Sequence, residues 1–252
     1  MSTHSRRPAA ARHAFVPAIL LAVAGLAGGP ARGAMHATDE FVAGATRPVK
    51  IALLPAQVEL RKQKVVRREA KAEEAGELES YLAAAVAKEL EHRGYQVRNL
   101  ASQAQHEDPE LLAQAVDASQ HYGALLTQIA FKLPRQIEKR SFKADDEMKG
   151  LAARLGVDAI AFVQMQMTAE GKGARVLNFT RNGGTETMMS VSVIDGRTSD
   201  IEAYFVLPIL KRSKALGGYD AIMKDPSGEM ARYAGLTLED LPQASPNPAA
   251  AH

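Results

Sequence analysis

The hydrophobic pattern of this chain changes from a helical period to an alternating one in its second half, and this change limits the folds that the chain can adopt. Three segments carry apolar residues at helical spacing, residues 76–94, 109–123 and 144–156. Three consecutive strand-like segments follow the strand 157–167, and these are residues 174–180, 187–195 and 201–207. The pattern predicts an α/β (α+β) domain, with a single mixed β-sheet, helices packed on its faces, a βαβ start and an antiparallel meander in the second half.

The first strand is predicted within VKIALLPAQVEL, residues 49–60. Its continuous apolar run, residues 51–54, is typical of a central strand buried on both faces, and Pro55 follows it directly. The helix of residues 76–94 has Gly94 at its stop position and leads into a second short strand, YQVRNL. Strand, helix and strand in this order predict a right-handed parallel crossover.

The remaining helix signals are local. Asp108 and Pro109 form a start signal, because the aspartate caps the helix and the proline lacks an N–H that would have no partner there. Residues 124–133 are compatible with either a helix or a strand. Gly156 marks the end of the 144–156 helix, and residues 227–236 predict a last helix.

The N-terminal segment has the composition of an export signal. Arg6, Arg7 and Arg12 precede the apolar run of residues 17–28, and small residues follow at Ala31-Arg32-Gly33. We interpret residues 1–34 as a cleaved signal peptide, with a retained N-terminal anchor as the alternative. The predicted organisation continues with a flexible segment at 35–47, one α/β domain at 48–241 and a disordered tail at 242–252.

Export changes the charge of the chain. The whole sequence has 31 Lys and Arg against 29 Asp and Glu, and removal of the four arginines before residue 34 leaves 27 against 29, or about −2. The chain has no cysteine, which excludes disulfides, thiolate chemistry and a lipid-modified cysteine. We therefore expect a periplasmic protein that is not a lipoprotein and has no transmembrane span in its mature form.

No motif predicts an enzyme. The sequence lacks a G-x-S-x-G elbow, and Ser190 and Ser192 alternate with apolar residues as if they formed the solvent face of a strand. The histidines after the signal show no metal-binding spacing, and they are His36, His92, His106, His121 and His252. The glycines at 171–173 and 182–184 do not open a helix after a buried strand, so we read them as hairpin turns. We expect neither a cofactor nor a metal.

The stretch RKQKVVRREAKAEEAGELE, residues 61–79, is the most highly charged part of the chain. We interpret it as a strand-to-helix loop and first helical turns, either simply solvated or serving as a partner-binding surface. The partner-binding residues would be Arg61, Lys62, Lys64, Arg67, Arg68 and Lys71. In a cytoplasmic protein these residues would suggest nucleic acid, but export removes that partner. An acidic envelope protein or an anionic lipid head group fits instead.

A second candidate site follows from the general position of ligands in open α/β sheets, at the carboxyl ends of the central strands. The polar residues predicted there are Gln57, Glu59 and Gln164. They could line a pocket for a small ligand or a hydrolase substrate, which is the alternative to a binding module.

Four segments occur in an order that resembles a known group of proteins: KIALLPAQ, HRGYQV, ARLGVDAIAFVQM and SVSVIDGRTSDIEAYF. The set is similar to the envelope-associated α/β domains of the curli-secretion lipoprotein and of the N-terminal domain of TolB, and it covers residues 49–207. Two departures are the replacement of the glycine expected after the third strand by Gln164-Met165-Gln166, and Thr198-Ser199 where those proteins carry Thr-Gly.

The resemblance implies a non-enzymatic periplasmic domain that docks other envelope proteins. We therefore predict a secreted binding or assembly module of the bacterial cell envelope. Its partner, pathway and oligomeric state stay open.

Overall fold

A computed structural model describes residues 33–63, 68–102, 108–129, 135, 137, 143–144, 146–170, 185–207, 216 and 218–244. The strands are β1 (Ala34–Ala37), β2 (Lys50–Leu53), β3 (Gln57–Gln63), β4 (Arg68–Ala70), β5 (Gln96–Asn99), β6 (Ala159–Glu170), β7 (Thr185–Asp195) and β8 (Ile201–Leu207). The helices are α1 (Asp39–Ala43), α2 (Ala72–His92), α3 (Pro109–Ile129), α4 (Asp146–Leu155), α5 (Tyr219–Lys224) and α6 (Pro226–Thr237).

The described strands form a single mixed sheet of eight strands, in the order β1-β8-β7-β6-β2-β5 with β3 and β4 beside this path. β2 lies parallel to both β5 and β6, while β6, β7 and β8 run antiparallel to one another. The predicted α/β class, βαβ start and antiparallel meander are confirmed. The predicted strand at 174–180, the hairpin turns at 171–173 and 182–184, His106 and His252 lie outside the described residues.

β6 is long because two shorter strands pair with it in succession. β2 pairs with its first residues, Ala159 to Ala161, and β3 pairs with residues 164–170. Between β2 and β3, the backbone around Pro55 interrupts the ladder, as expected for a residue that has no N–H to donate. We call the half of the sheet beyond Pro55 the arm, and it consists of β3, β4 and residues 164–170 and 185–190 of β6 and β7.

Helices cover the two faces of the sheet unequally. On one face, α2 and α6 pack over the whole length of the apolar side chains, including those of the arm, in a cluster that contains Leu60, Leu82, Met165 and Phe205. On the other face, α3 and α4 pack over the half that precedes the arm, in a cluster that contains Leu54 and Phe162.

The cover on both faces overturns one expectation. Ser190 and Ser192 were predicted on the solvent face of a strand, but their exposed fractions are 4% and 0%. The alternation of β7 is real, and the prediction is wrong because helices lie on both sides. Tyr122 of α3 packs edge-on against Phe162 there, with ring centroids 5.1 Å apart.

Two predicted helix stops are confirmed by backbone geometry. Gly94 and Gly156 adopt left-handed φ angles of 87° and 65°, which side chains other than glycine rarely adopt. Ser199 adopts a similar φ of 61°. This serine stands where the resembled proteins carry glycine, so the turn keeps the left-handed conformation after the glycine is lost.

The segment predicted as flexible, residues 35–47, contains β1 and α1. β1 pairs with β8 at the edge of the sheet, and Phe41 of α1 is fully buried. The carboxylate of Glu202 is buried beneath this segment and accepts hydrogen bonds from the hydroxyls of Thr38, at 2.6 Å, and Thr46, at 2.9 Å. At the other terminus, Tyr95 donates a hydrogen bond to the carbonyl of Pro242 at 3.0 Å, within the predicted tail.

Candidate functional site

The polar side chains of the arm project from one face of three adjacent strands. Because side chains alternate along a strand and register partners point to the same side, the pairing fixes three rows of three residues. The rows are Gln57, Gln164 and Ser190; Glu59, Gln166 and Met188; and Arg61, Thr168 and Glu186. We call these nine residues the polar face. Ser190 is buried and the other eight are half-buried.

The two residues between each pair of polar ones point the other way, into the apolar cluster beneath α2 and α6. Val58 and Leu60 of β3 and Met165 and Met167 of β6 are at most 8% exposed. This burial fixes the register of the arm, because a one-residue slip would move charged side chains into that cluster. The polar face is therefore held on a rigid support.

Helix α3 contacts only the first row of the polar face. Gln57 donates its side-chain N–H to the Ser119 carbonyl at 2.7 Å, and the Ser119 hydroxyl donates to the Pro55 carbonyl at 2.8 Å. Gly123 allows this approach, because a Cβ atom there would collide with the Gln57 amide. The second and third rows lie beyond the contact with α3.

Charge on the polar face is locally compensated. Arg61 donates two hydrogen bonds to the carboxylate of Glu59 on the same strand, one from Nε at 2.7 Å and one from Nη2. The neighbouring strands contribute neutral amide and hydroxyl groups at Gln164, Gln166 and Thr168. A face of this kind offers both hydrogen-bond donors and acceptors, which suits a polar partner better than a strongly charged one.

The structure corrects the interpretation of residues 61–71 as a loop. Arg61, Lys62 and Gln63 belong to β3, and they pair antiparallel with Ala70, Glu69 and Arg68 of β4. We call residues 61–71 the basic hairpin. High charge suggested a solvated loop, but strands whose edges meet solvent also carry charged residues. Lys64 and Arg67 lie outside the described residues.

Because of the strand geometry, the predicted basic residues do not form one patch. Arg61 points to the polar face and pairs with Glu59, whereas Lys62 points to the opposite face, 5.7 Å from the ring centroid of Tyr219. Lys71 follows β4 and lies 3.5 Å from the Glu74 carboxylate at the start of α2. Burial raises the pKa of Tyr219, and the nearby negative charge of Glu74 adds to the shift.

The three residues predicted to line a pocket come together, but not at an end of the sheet. Gln57 lies opposite Gln164, and Glu59 lies in the next row beside Gln166. They sit halfway along β6, because the chain resumes as β3 after Pro55 and continues the ladder. The residues that sequence reasoning missed are Gln166, Thr168 and Glu186, since only the register reveals that they align with β3.

One further edge of the arm is closed by a side chain. Glu79 of α2 accepts a hydrogen bond from the backbone N–H of Val58 at 3.3 Å. Burial raises the pKa of this carboxyl, and the Val58 N–H opposes part of the rise. The open hydrogen-bonding edge of β3 is thus satisfied within the chain rather than left for a partner strand.

Buried hydroxyl groups occur near the polar face but form no catalytic set. Among the described residues, the hydroxyls of Tyr122, Ser192 and Ser199 are buried without a hydrogen-bond partner. Burial raises the pKa of Tyr122, and the nearby Ser192 hydroxyl opposes part of that rise. No described group of three or more His, Asp and Glu could hold a metal ion. Within the described parts of the chain, no helix has the length and apolar character needed to cross a bilayer.

Comparison with known proteins finds no matching family model and no matching curated protein. Three solved structures are similar at 12% identity. Lipoprotein GNA1162 from Neisseria meningitidis has a TM-score of 0.35, with 75% of this chain and 99% of that chain covered. The PelC dodecamer from Paraburkholderia phytofirmans, in two crystal forms, has a TM-score of 0.32, with 84% and 79% of this chain and 99% and 92% of that chain covered. Likeness at this level assigns no function, and the resemblance to the curli-secretion lipoprotein and TolB stays a prediction.

Proposed function

We propose that this chain is a non-enzymatic binding and assembly module of the bacterial cell envelope, exported to the periplasm, on which another envelope protein docks. The composition of residues 1–34 supports export. The observation that carries the docking role is the polar face: nine side chains in register on three strands whose opposite side is anchored in the core.

The chemistry of the polar face favours non-covalent recognition. Its amides and hydroxyls can exchange hydrogen bonds with water for hydrogen bonds with a partner at little cost, because most of them are half-buried rather than sealed. The Glu59–Arg61 pair leaves little net charge for long-range attraction. The partner segment that fits such a face is polar and uncharged, and the rigid strands fix the spacing of its contacts.

In-cell cross-linking with mass spectrometry tests the proposal. A photo-reactive amino acid replaces Gln166 on the polar face in one variant, and Tyr81, which is 44% exposed on α2, in the control. We expect one envelope protein to be captured from position 166 and not from position 81. Equal adducts from both positions, or adducts with cytoplasmic proteins alone, contradict the docking role.

The register of Gln57, Glu59 and Gln164 also favours a second candidate, a small-ligand site or a hydrolase pocket on the same face. Thermal unfolding of the purified protein against a panel of metabolites and nucleotides separates the two. A ligand that binds the folded state at about 100 times its Kd adds roughly 2.7 kcal/mol to the free energy of unfolding. Stabilisation of that size by one compound favours the pocket over the docking module.

A further inference from the structure

The two ends of the sheet differ in the charge of the segments that leave them. β3 and β6 run parallel and finish together, with Gln63 opposite Glu170, and β7 starts there, with Thr185 opposite Ala169. β8 points the same way and finishes at Leu207, opposite Met189. Three connections therefore leave this end of the sheet, residues 64–67, 171–184 and 208–215.

These three connections are uniformly basic. They contain eight Lys and Arg and no Asp or Glu, and the eight are Lys64, Arg67, Lys172, Arg175, Arg181, Lys211, Arg212 and Lys214. The strands of the arm do not offset this charge, because they add three basic and four acidic residues. The basic ones are Arg61, Lys62 and Arg68, and the acidic ones are Glu59, Glu69, Glu170 and Glu186.

The opposite end of the sheet is the internal control. Its connections are residues 38–49, 93–95, 156–158 and 196–200. They contain three basic residues against four acidic ones: Arg47, Arg93 and Arg197, and Asp39, Glu40, Asp158 and Asp200. Uniform positive charge is thus a property of one end of the fold and not of its connections in general. We call the end at Gln63, Glu170 and Leu207 the basic end.

Aliphatic residues accompany the basic ones in each of the three connections. Val65 and Val66 lie between Lys64 and Arg67, Val176 and Leu177 follow Arg175, and Ile209 and Leu210 precede Lys211. Basic side chains beside aliphatic ones bind the surface of an anionic bilayer, since the cations meet phosphate groups while the apolar groups enter the interface. An acidic protein partner would account for the charge but not for this repeated pairing.

The path of the N-terminus points to the same surface. Ala34 lies opposite Val206, one residue from the finish of β8, so residues 1–33 reach the sheet at its basic end. The apolar run of residues 17–28 belongs to that segment. The part of the chain that must meet a membrane during export therefore joins the fold at the end where the basic connections leave it.

We propose that the basic end of the sheet binds an anionic phospholipid surface. The tips of β3, β6 and β7 lead, about 13 Å beyond the finish of β8, because four residues of β7 at roughly 3.3 Å each separate Thr185 from Met189. The polar face then lies along the side of the arm, accessible to a second protein. The proposal uses a different surface from the docking role and does not depend on it.

Co-sedimentation of the purified full chain with vesicles tests this inference. Neutral vesicles of phosphatidylcholine are compared with vesicles that also contain about 30% phosphatidylglycerol, at low and high salt. We expect binding to the anionic vesicles that weakens as salt rises. Any attachment through the apolar run of residues 17–28 occurs with both vesicle types, so the difference between them reports the charged surface.

A matched pair of variants locates that surface. The test variant replaces Lys172, Arg175 and Arg181 with Gln, and the control replaces Lys88, Lys149 and Arg197, three exposed residues elsewhere on the surface. Each basic residue at an anionic surface changes affinity about fivefold, so we expect the test variant to bind on the order of 100-fold more weakly and the control to keep wild-type binding.

Three results would overturn the proposal: equal binding to both vesicle types, equal weakening in the two variants, or no binding to either vesicle type. Circular dichroism confirms that both variants are folded. If the test variant unfolds, the Lys211, Arg212 and Lys214 replacement takes its place, with the same expected loss. Failure of this experiment leaves the cross-linking at Gln166 unaffected, because that residue lies on the side of the arm.

Discussion

The two faces of the arm share the same three strands but differ in nearly every other respect. One side carries Val58, Leu60, Met165 and Met167, all buried beneath α2 and α6. The other carries the polar face, where α3 reaches only as far as Gln57. Alternation along a strand allows one segment to serve the core and a partner at once, so stability and recognition reside in separate side chains. Substitutions on the two faces should therefore have separate consequences.

The largest expected effect comes from the buried face. Leu60→Ala removes a side chain that is 2% exposed, and the lost contacts plus the resulting cavity should lower the free energy of unfolding by about 2–5 kcal/mol. Urea unfolding followed by circular dichroism measures the change. A loss below 1 kcal/mol would mean that the arm contributes little to the core.

Tyr95 tests whether the buried face also seals its polar groups. Burial raises the pKa of Tyr95 to about 12, and the positive charges of Arg47 and Arg93 oppose part of the rise. The folded state thus favours the protonated form, so its contribution is complete below pH 10 and is lost as the pH rises through 12. Relative to Tyr95→Phe, the wild type should lose about 2–3 kcal/mol between those limits.

The measurement is the free energy of unfolding of both proteins at pH 9, 10 and 11, near the start of that window. The difference between them isolates Tyr95 from the other tyrosines, several of which are also buried. Parallel pH profiles for the two proteins would show that the hydroxyl of Tyr95 titrates as it does in the unfolded chain.

Gly123 lies at the border between the two kinds of surface. Gly123→Ala should lower the free energy of unfolding by about 1–3 kcal/mol, because the new methyl group displaces the Gln57 amide from the Ser119 carbonyl. In the double variant with Gln57→Ala, the methyl group has space and the additional cost of the alanine should fall well below that of the single change. Equal costs in both backgrounds would remove Gln57 as the cause.

The smallest expected effect on stability comes from the polar face itself. Gln166→Ala should change the free energy of unfolding by no more than about 0.5 kcal/mol, because the side chain is half-buried and lies outside both apolar clusters. The same variant should reduce the yield of the envelope adduct formed by a photo-reactive residue at the neighbouring position 168. A large loss of stability with an unchanged adduct would reverse the assignment of the two faces.

Sequence reasoning predicted strands and helix stops better than it predicted the exposure of side chains. The limits of β8 match the predicted segment 201–207, because its continuous apolar run ends at Pro208. Gly94 and Gly156 stop helices as predicted, because the left-handed backbone is a local property. Ser190 and Ser192 were placed wrongly, because alternation reports two different sides of a strand and not which side a distant helix will cover.

The candidate site required information that no local pattern contains. Gln57, Gln164 and Ser190 form one row only because β3 and β7 pair with β6 in that register. The basic hairpin was read as a loop because its charge outweighs its alternation, and β3 begins again only after the break at Pro55. The sequence therefore names several of the correct side chains but leaves their arrangement to the sheet.

The pairing of β1 with β8 also has a consequence for the order in which the chain folds. Ala34 to Ala37 meet residues 203–206, so about 170 residues separate the partners, and loop closure over that distance is slow. A chain that emerges from its N-terminus first exposes β1 long before β8 exists, whereas β6, β7 and β8 can pair with near neighbours. Glu202 gains the hydroxyls of Thr38 and Thr46 only when β1 docks. The first strand to be synthesised should therefore be among the last to join the sheet.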